Sequence, residues 1–222
     1  MKKIEHAEEI FNLLNEELSN ISNPIIARKK WEKIVQNPFT TLISCILSLR
    51  TKDEITEQAS IRLLKKYNTP EKITKLPEKQ LQTLIYPVGF YKTKARRIRE
   101  LSRKLINNYN GQVPNDFEEL IKFKGVGRKT ANIVMLYGFK KQGFLPIDTH
   151  CHRIPNRLGW INTKTPEQTE KELKKILPEK YWDDFNRLFV KFGQTICLPI
   201  SPFCSRCPIK KHCNRISVIK KR

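Results

Sequence analysis

Four cysteines crowd into the segment CLPISPFCSRCPIKKHC, at Cys197, Cys204, Cys207 and Cys213, with the spacing C-x6-C-x2-C-x5-C. Four thiolates in one short loop suit either a tetrahedral zinc ion or a [4Fe-4S] cluster, and the spacing alone leaves both open. In a reducing compartment such a grouping reads as metal ligation before it reads as disulfides. Of the six cysteines, Cys45 and Cys151 stand apart and read as small hydrophobes. A second chemical grouping is FKGVGRKTANIV, Phe123 to Val134. Its two glycines bracket a short turn, and such a turn is able to aim backbone N–H groups into one concavity that holds a phosphate oxygen. The plainer alternative is that GVG only closes the turn. Lys129 follows in the first helical turn, where the positive end of the helix dipole and neighbouring Arg128 both disfavour an ammonium. A neutral lysine amine is a nucleophile for an electrophilic sugar carbon; a charged one is a phosphate contact. Asp148, in PIDTHCHR, is placed either to cap the helix beginning at Thr149 or to supply a carboxylate to the chemistry, and the two roles are compatible. A metal site built on Asp148, His150 and His152 is disfavoured, because residues two apart on a helix point away from each other.

The elements that must position these groups read as helices. Ile4, Ala7, Ile10, Phe11, Leu14 and Leu18 recur at helical spacing. The run PFTTLISCILSL suits a helix buried on most sides. Capping boxes are predicted at Thr51 with Glu54, Asp116 with Glu119 and Thr165 with Gln168, and first-turn prolines at Pro70 and Pro77. Period-two alternation with hairpin turns is absent, so the expectation is an all-α protein of roughly ten helices. Gly125 and Gly127 then join two short helices into an αα-hairpin.

The chain has 222 residues with 43 Lys and Arg against 22 Asp and Glu, a formal net charge of +21. A polyanionic partner follows from a surplus of that size spread along the whole length. Neither a membrane-spanning run nor a secretory segment is found, so an intracellular, cytoplasmic protein without a membrane partner is expected.

The hairpin, the segment PIDTHCHRIPNRLGW and the four spaced cysteines, in that order, resemble the endonuclease III family of helix-hairpin-helix DNA glycosylases. The resemblance runs from about Asn37 to Cys213 and takes in NPFTTLISCILSLRTKDEIT and GFYKTKARRI. It implies an all-α fold of two helical domains flanking a DNA-binding cleft. A six-helix barrel carrying the hairpin would span residues 31–141, and an iron–sulfur domain would combine residues 1–30 and 142–222. It implies a glycosylase with an associated lyase activity on oxidised pyrimidines in duplex DNA, in which Lys129 forms a Schiff base at C1′ and Asp148 is the catalytic carboxylate. A [4Fe-4S] cluster on Cys197, Cys204, Cys207 and Cys213 would serve a structural role, and the enzyme would act as a monomer on DNA with damaged bases or abasic sites.

DNA contacts are expected at Gly125, Val126, Gly127, Arg128 and Thr130 of the hairpin, at Lys94, and at two wedges that fill the gap left by a flipped nucleotide, Arg50 and Phe90. Arg50 stands where the family has glutamine, which bears on how the opposite base is read. The adenine-specific branch uses a glutamate that LISCILSLRTKDE lacks before Asp53. The cysteine loop carries no basic residue in LPISPF, so its cations lie further on, at Arg206, Lys210 and Lys211. The rival readings are a monofunctional mismatch glycosylase and a non-catalytic hairpin that only binds DNA.

Overall fold

The structure, a computed structural model, describes residues 4–21 and 37–222. All regular elements among the described residues are helical. The chain divides into two compact units, Met1–Pro24 with Gly143–Arg222, and Ile25–Gln142. The expected division near residue 30 lies outside the described residues.

In the unit of the chain's middle, α2 (Pro38–Ser48), α3 (Asp53–Leu64), α4 (Pro70–Thr74), α5 (Glu78–Ile85), α6 (Tyr91–Tyr109), α7 (Phe117–Ile121) and α8 (Arg128–Ile133) follow in order. A single π turn, Val134–Gly138, continues α8. Helix α2 is the hub. Every residue from Phe39 to Leu47 is buried, as its nearly unbroken apolar run requires, and it packs against α3, α6, α8 and the π turn. Gly138 lets the π turn approach α2, since a Cβ there would lie 2.9 Å from the Pro38 Cα.

The other unit joins α1 (Ala7–Glu17) to α9 (Thr149–Leu158), α10 (Pro166–Ile176) and α11 (Trp182–Thr195). Ile10, Phe11 and Leu14 of α1 enter a core built around Phe185, Leu188, Phe189 and Phe192 of α11, and Phe185 stacks on Phe189 with centroids 4.1 Å apart. Cys197, Cys207 and Cys213 pack on the edge of this core.

Local signals and structure differ at several helix starts. Helix α3 begins at Asp53 with Lys52 as an N-cap that makes no side-chain bond, so Thr51 and Glu54 form no capping box. Asp116 and Thr165 do accept the N3 amides of Glu119 and Gln168. Neither box is reciprocal, because Glu119 bonds Tyr109 and Lys122 while Gln168 accepts from Lys164 N. Pro70 occupies the first turn of α4 behind Thr69, whereas Pro77 is itself the N-cap of α5. A complete box, unforeseen, starts α2: Asn37 Oδ1 accepts from Thr40 N at 2.9 Å and Thr40 Oγ1 accepts from Asn37 N at 3.2 Å. Asn37→Ala is expected to destabilise the hub helix by about 1 kcal/mol, read as a lower urea midpoint at unchanged slope.

Candidate functional site

The turn in FKGVGRKT is a tight one. Phe123 O accepts from Val126 N at 2.9 Å, and Gly125 takes φ 88°, a conformation that side chains rarely adopt. Gly127 is different: its backbone is extended, and a Cβ there would meet nothing within 4 Å. Nothing among the described residues requires glycine at that position, so the missing side chain leaves an opening there. Helix α8 has no side-chain cap, and its first backbone bond runs from Ala131 N to Gly127 O. The amide end of a helix directed outward in this way suits an anion. Lys129 is exposed in this first turn, while Val126 and Thr130 are buried. Val126 is thereby removed from the expected contact set: its N–H is taken by Phe123 and its side chain faces the core. Thr130 is left only its backbone to offer.

Beneath the turn lies Cys45 of α2. Burial pushes its thiol up to about 12, against the opposing pull of the Lys129 charge. A thiol held neutral does not compete as a nucleophile.

Two loop tips make a second feature of this unit. Arg50 and Phe90 are both exposed, Phe90 to 63%, and both hold left-handed backbone, φ 51° and 58°. Such a conformation in large non-glycine residues persists only when the surroundings impose it. The Arg50 guanidinium carbon is 5.9 Å from the Phe90 ring centroid. Core packing, the plain alternative for Phe90, is excluded by its exposure.

What imposes the geometry is Lys94, and here the sequence expectation is overturned. Lys94 is only 4% exposed, so it is not a surface DNA contact. Its ammonium donates to Leu47 O at 2.8 Å, Leu49 O at 2.5 Å and Thr51 Oγ1 at 3.1 Å, all at the C-terminal end of α2. Thr51 Oγ1 in turn accepts from Gly89 N at 3.1 Å, and a Cβ on Gly89 would lie 2.6 Å from Arg50 O. Lys94, Thr51 and Gly89 thus bind the two tips into one piece. The sequence assigns Thr51 to a helix cap and gives no sign of this role for Thr51 or Gly89. Lys94 had a signal, since it shares a buried helical stripe with Ile98, Leu101 and Leu105.

In the other unit, Asp148 caps α9: its Oδ1 accepts from His150 N and Cys151 N, each at 2.8 Å. The cap uses one carboxylate oxygen and fixes the direction of the other. His150 and His152 diverge as expected, His150 Nδ1 lying 3.0 Å from Arg153 Nη2 and His152 Nδ1 2.7 Å from Thr169 Oγ1. The same helix holds the cysteine loop. Arg157, buried, donates to Leu198 O and Pro199 O at 2.7 Å and reaches Cys197 Sγ at 3.4 Å; Arg153 donates to Cys197 O at 2.7 Å. These arginines were missed, although their i, i+4 spacing on α9 is legible.

Cys197, Cys204, Cys207 and Cys213 line one hollow, walled by Ile154, Phe192, Phe203 and Ile209. All four are free thiols, and burial pushes Cys207 up to about 12 and raises Cys213 as well. A metal cation is what would draw such thiols to thiolates.

Two short helices joined by a glycine turn, in an all-helical frame, form a helix-hairpin-helix. The sequence pattern of the HhH-GPD superfamily base excision DNA repair protein matches residues 43–179, and the chain belongs to that superfamily of DNA repair enzymes. Within it the chain falls in the endonuclease III family. Endonuclease III of Thermotoga maritima is 48% identical over 196 residues, 88% of this chain and 92% of that one. Endonuclease III of Rickettsia conorii is 40% identical over 200 residues, 89% and 92% of the two chains. A solved structure of a trapped endonuclease III–DNA covalent intermediate, in an estranged-adenine complex, is 32% identical, covers 97% of each chain and aligns with TM-score 0.81. No helix among the described residues is long and apolar enough to cross a membrane.

The burial of Lys94 carries a pH dependence. Burial, with a smaller push from Arg97, lowers its pKa from 10.5 to about 8. The folded chain therefore holds fewer protons than the unfolded chain between pH 8 and 10.5, and this group's contribution to stability rises with pH across that window. Lys94→Met, which strands the carbonyls at the end of α2, is expected to destabilise by about 2–3 kcal/mol at neutral pH. The difference between wild type and variant in urea unfolding should widen as the pH is raised above 8.

Proposed function

We propose that the chain is a bifunctional DNA glycosylase and abasic-site lyase that removes oxidised pyrimidines from duplex DNA through an imine on Lys129. The observation that carries this reading is the exposed Lys129 in the first turn of an uncapped helix, directly after a glycine whose missing side chain faces open space. The opening at Gly127 and the amide end of α8 receive a DNA phosphate, which brings a sugar within reach of the amine. The membership of the chain in the endonuclease III family, and the covalent complex solved for a relative, support the covalent route.

In the reaction, the free amine of Lys129 attacks C1′ of the extruded nucleotide. The glycosidic bond breaks with its electron pair going to the base, which takes up a proton. The amine loses its protons as the sugar ring opens to an imine. The imine acidifies C2′; removal of a C2′ proton sends electrons toward C1′ and expels the 3′ phosphate, cutting the strand. The Asp148 carboxylate, opposite in charge to the developing sugar cation, lowers the barrier electrostatically and carries protons to and from the amine. Arg50 and Phe90 fill the gap in the stack, Phe90 as an apolar wedge and Arg50 beside the orphaned base. Cys197, Cys204, Cys207 and Cys213 hold a [4Fe-4S] cluster, a reading supported by four free thiols that line one hollow in a chain of the endonuclease III family. The cluster supplies a covalent staple for its loop, and Arg153 and Arg157 join that loop to the helix capped by Asp148.

Borohydride should trap wild type covalently on duplexes carrying thymine glycol, dihydrouracil or an abasic site. Lys129→Gln, at an exposed position, should keep its melting temperature and lose trapping and strand scission together. Asp148→Asn should keep the helix cap, since asparagine caps as well as aspartate, yet turn over about 10²–10⁴-fold more slowly. Base release by Lys129→Gln at the wild-type rate would sink the covalent route and favour a monofunctional enzyme. An unaltered rate in Asp148→Asn would remove that carboxylate from the chemistry.

A further inference from the structure

His6, Glu9 and His212 form a cluster that the repair reaction does not use. His6 is the N-cap of α1, Glu9 stands one turn further on, and His212 ends the short turn Lys210–His212 just before the last cysteine. Glu9 spans both rings, with Oε2 3.5 Å from His6 Nδ1 and Oε1 3.2 Å from His212 Nε2. The imidazole centroids are 4.9 Å apart at 35°, and one ligand atom from each of the three residues lies within 4.8 Å of the others.

Ordinary ion pairing does not account for the cluster. His212 Nε2 is buried and has no hydrogen-bond partner among the described residues, although it lies 3.2 Å from Glu9 Oε1. A buried ring nitrogen left unpaired beside a carboxylate costs free energy that a cation between the two would recover. The donor set is two imidazoles and one carboxylate, which suits a first-row divalent cation of borderline softness rather than calcium or magnesium. A hollow of about 1080 Å³, open solvent included, adjoins the cluster beside Gly159 and Asn214 and leaves room for water to complete the coordination.

The geometry points to a zinc-class divalent-cation site at His6, Glu9 and His212, which clips the start of α1 to the loop carrying Cys213. Its ligands come from two segments far apart in sequence that share one hydrophobic core, so a bound ion ties them together and stabilises the folded unit by mass action. The site is independent of the lyase reading, because neither His6 nor Glu9 takes part in that reaction.

The test uses the iron-loaded protein, freed of stray metal by a mild chelator and titrated with zinc chloride in a calorimeter, beside His6→Ala and Glu9→Gln. Both substitutions are at exposed positions. Wild type should take up one zinc ion, and each variant should bind it at least about tenfold more weakly, the effect of losing one ligand. Zinc should raise the melting temperature of wild type by several degrees and leave the variants unmoved. The visible absorption of the cluster, followed in the same samples, should stay constant. No uptake by wild type, equal uptake by both variants, or a loss of cluster absorption in step with zinc would each overturn the site, the last because zinc would then be replacing iron at the cysteines.

Discussion

Every α-helix ends with carbonyl groups that have no partner inside the helix, and this protein meets several of them with buried cations from neighbouring helices. Lys94 takes Leu47 O and Leu49 O at the end of α2. Lys191 takes Leu18 O just past α1, and Arg153, itself only half-buried, takes Gly193 O and Cys197 O at the end of α11. The negative end of the helix dipole adds to each contact. A buried ammonium or guanidinium is tolerable only where such acceptors surround it, so each of these joints is specific in geometry as well as strong. A chain this rich in lysine and arginine therefore uses part of its positive charge as internal fastening.

The fastening lies close to the chemistry. Lys94 sets the backbone of the tip bearing Arg50, and through Thr51 and Gly89 it joins the tip bearing Phe90. Arg153 and Arg157 bind the cysteine loop to α9, whose N-cap is Asp148. The hairpin differs: its rigidity comes from a buried Val126, a bonded turn and the packing of α8 on α2. The outward face of the turn is left bare, with Gly127 open and Lys129 exposed. The groups assigned to DNA are thus held in place by side chains that are themselves engaged inside the fold.

Much of this was legible in the residues. The hub character of α2 follows from an unbroken apolar run, the hairpin from two closely spaced glycines, and the gathering of four thiols in one hollow from their spacing. Less legible were helix starts. Thr51 and Glu54 have the types and spacing of a capping box, but Thr51 Oγ1 is engaged by Lys94 and by Gly89, 38 residues further along. The box at Asn37 went unseen because Asn with Thr is a less familiar pair than Thr with Glu, although the same reciprocal bonds form.

The sequence by itself determined the helical class, through spacings near 3.6 residues, and the family, through three motifs in order. It also determined which residue types could act as nucleophile, carboxylate and metal ligands. Only the tertiary structure decided which of the many cations are available to a polyanion. Lys94 and Lys129 are alike as residues, and each lies on a helix beside other basic groups. One is turned onto a carbonyl 47 residues away in the chain and the other toward solvent. The acceptors that claim a lysine belong to other elements, and their positions exist only once those elements have packed.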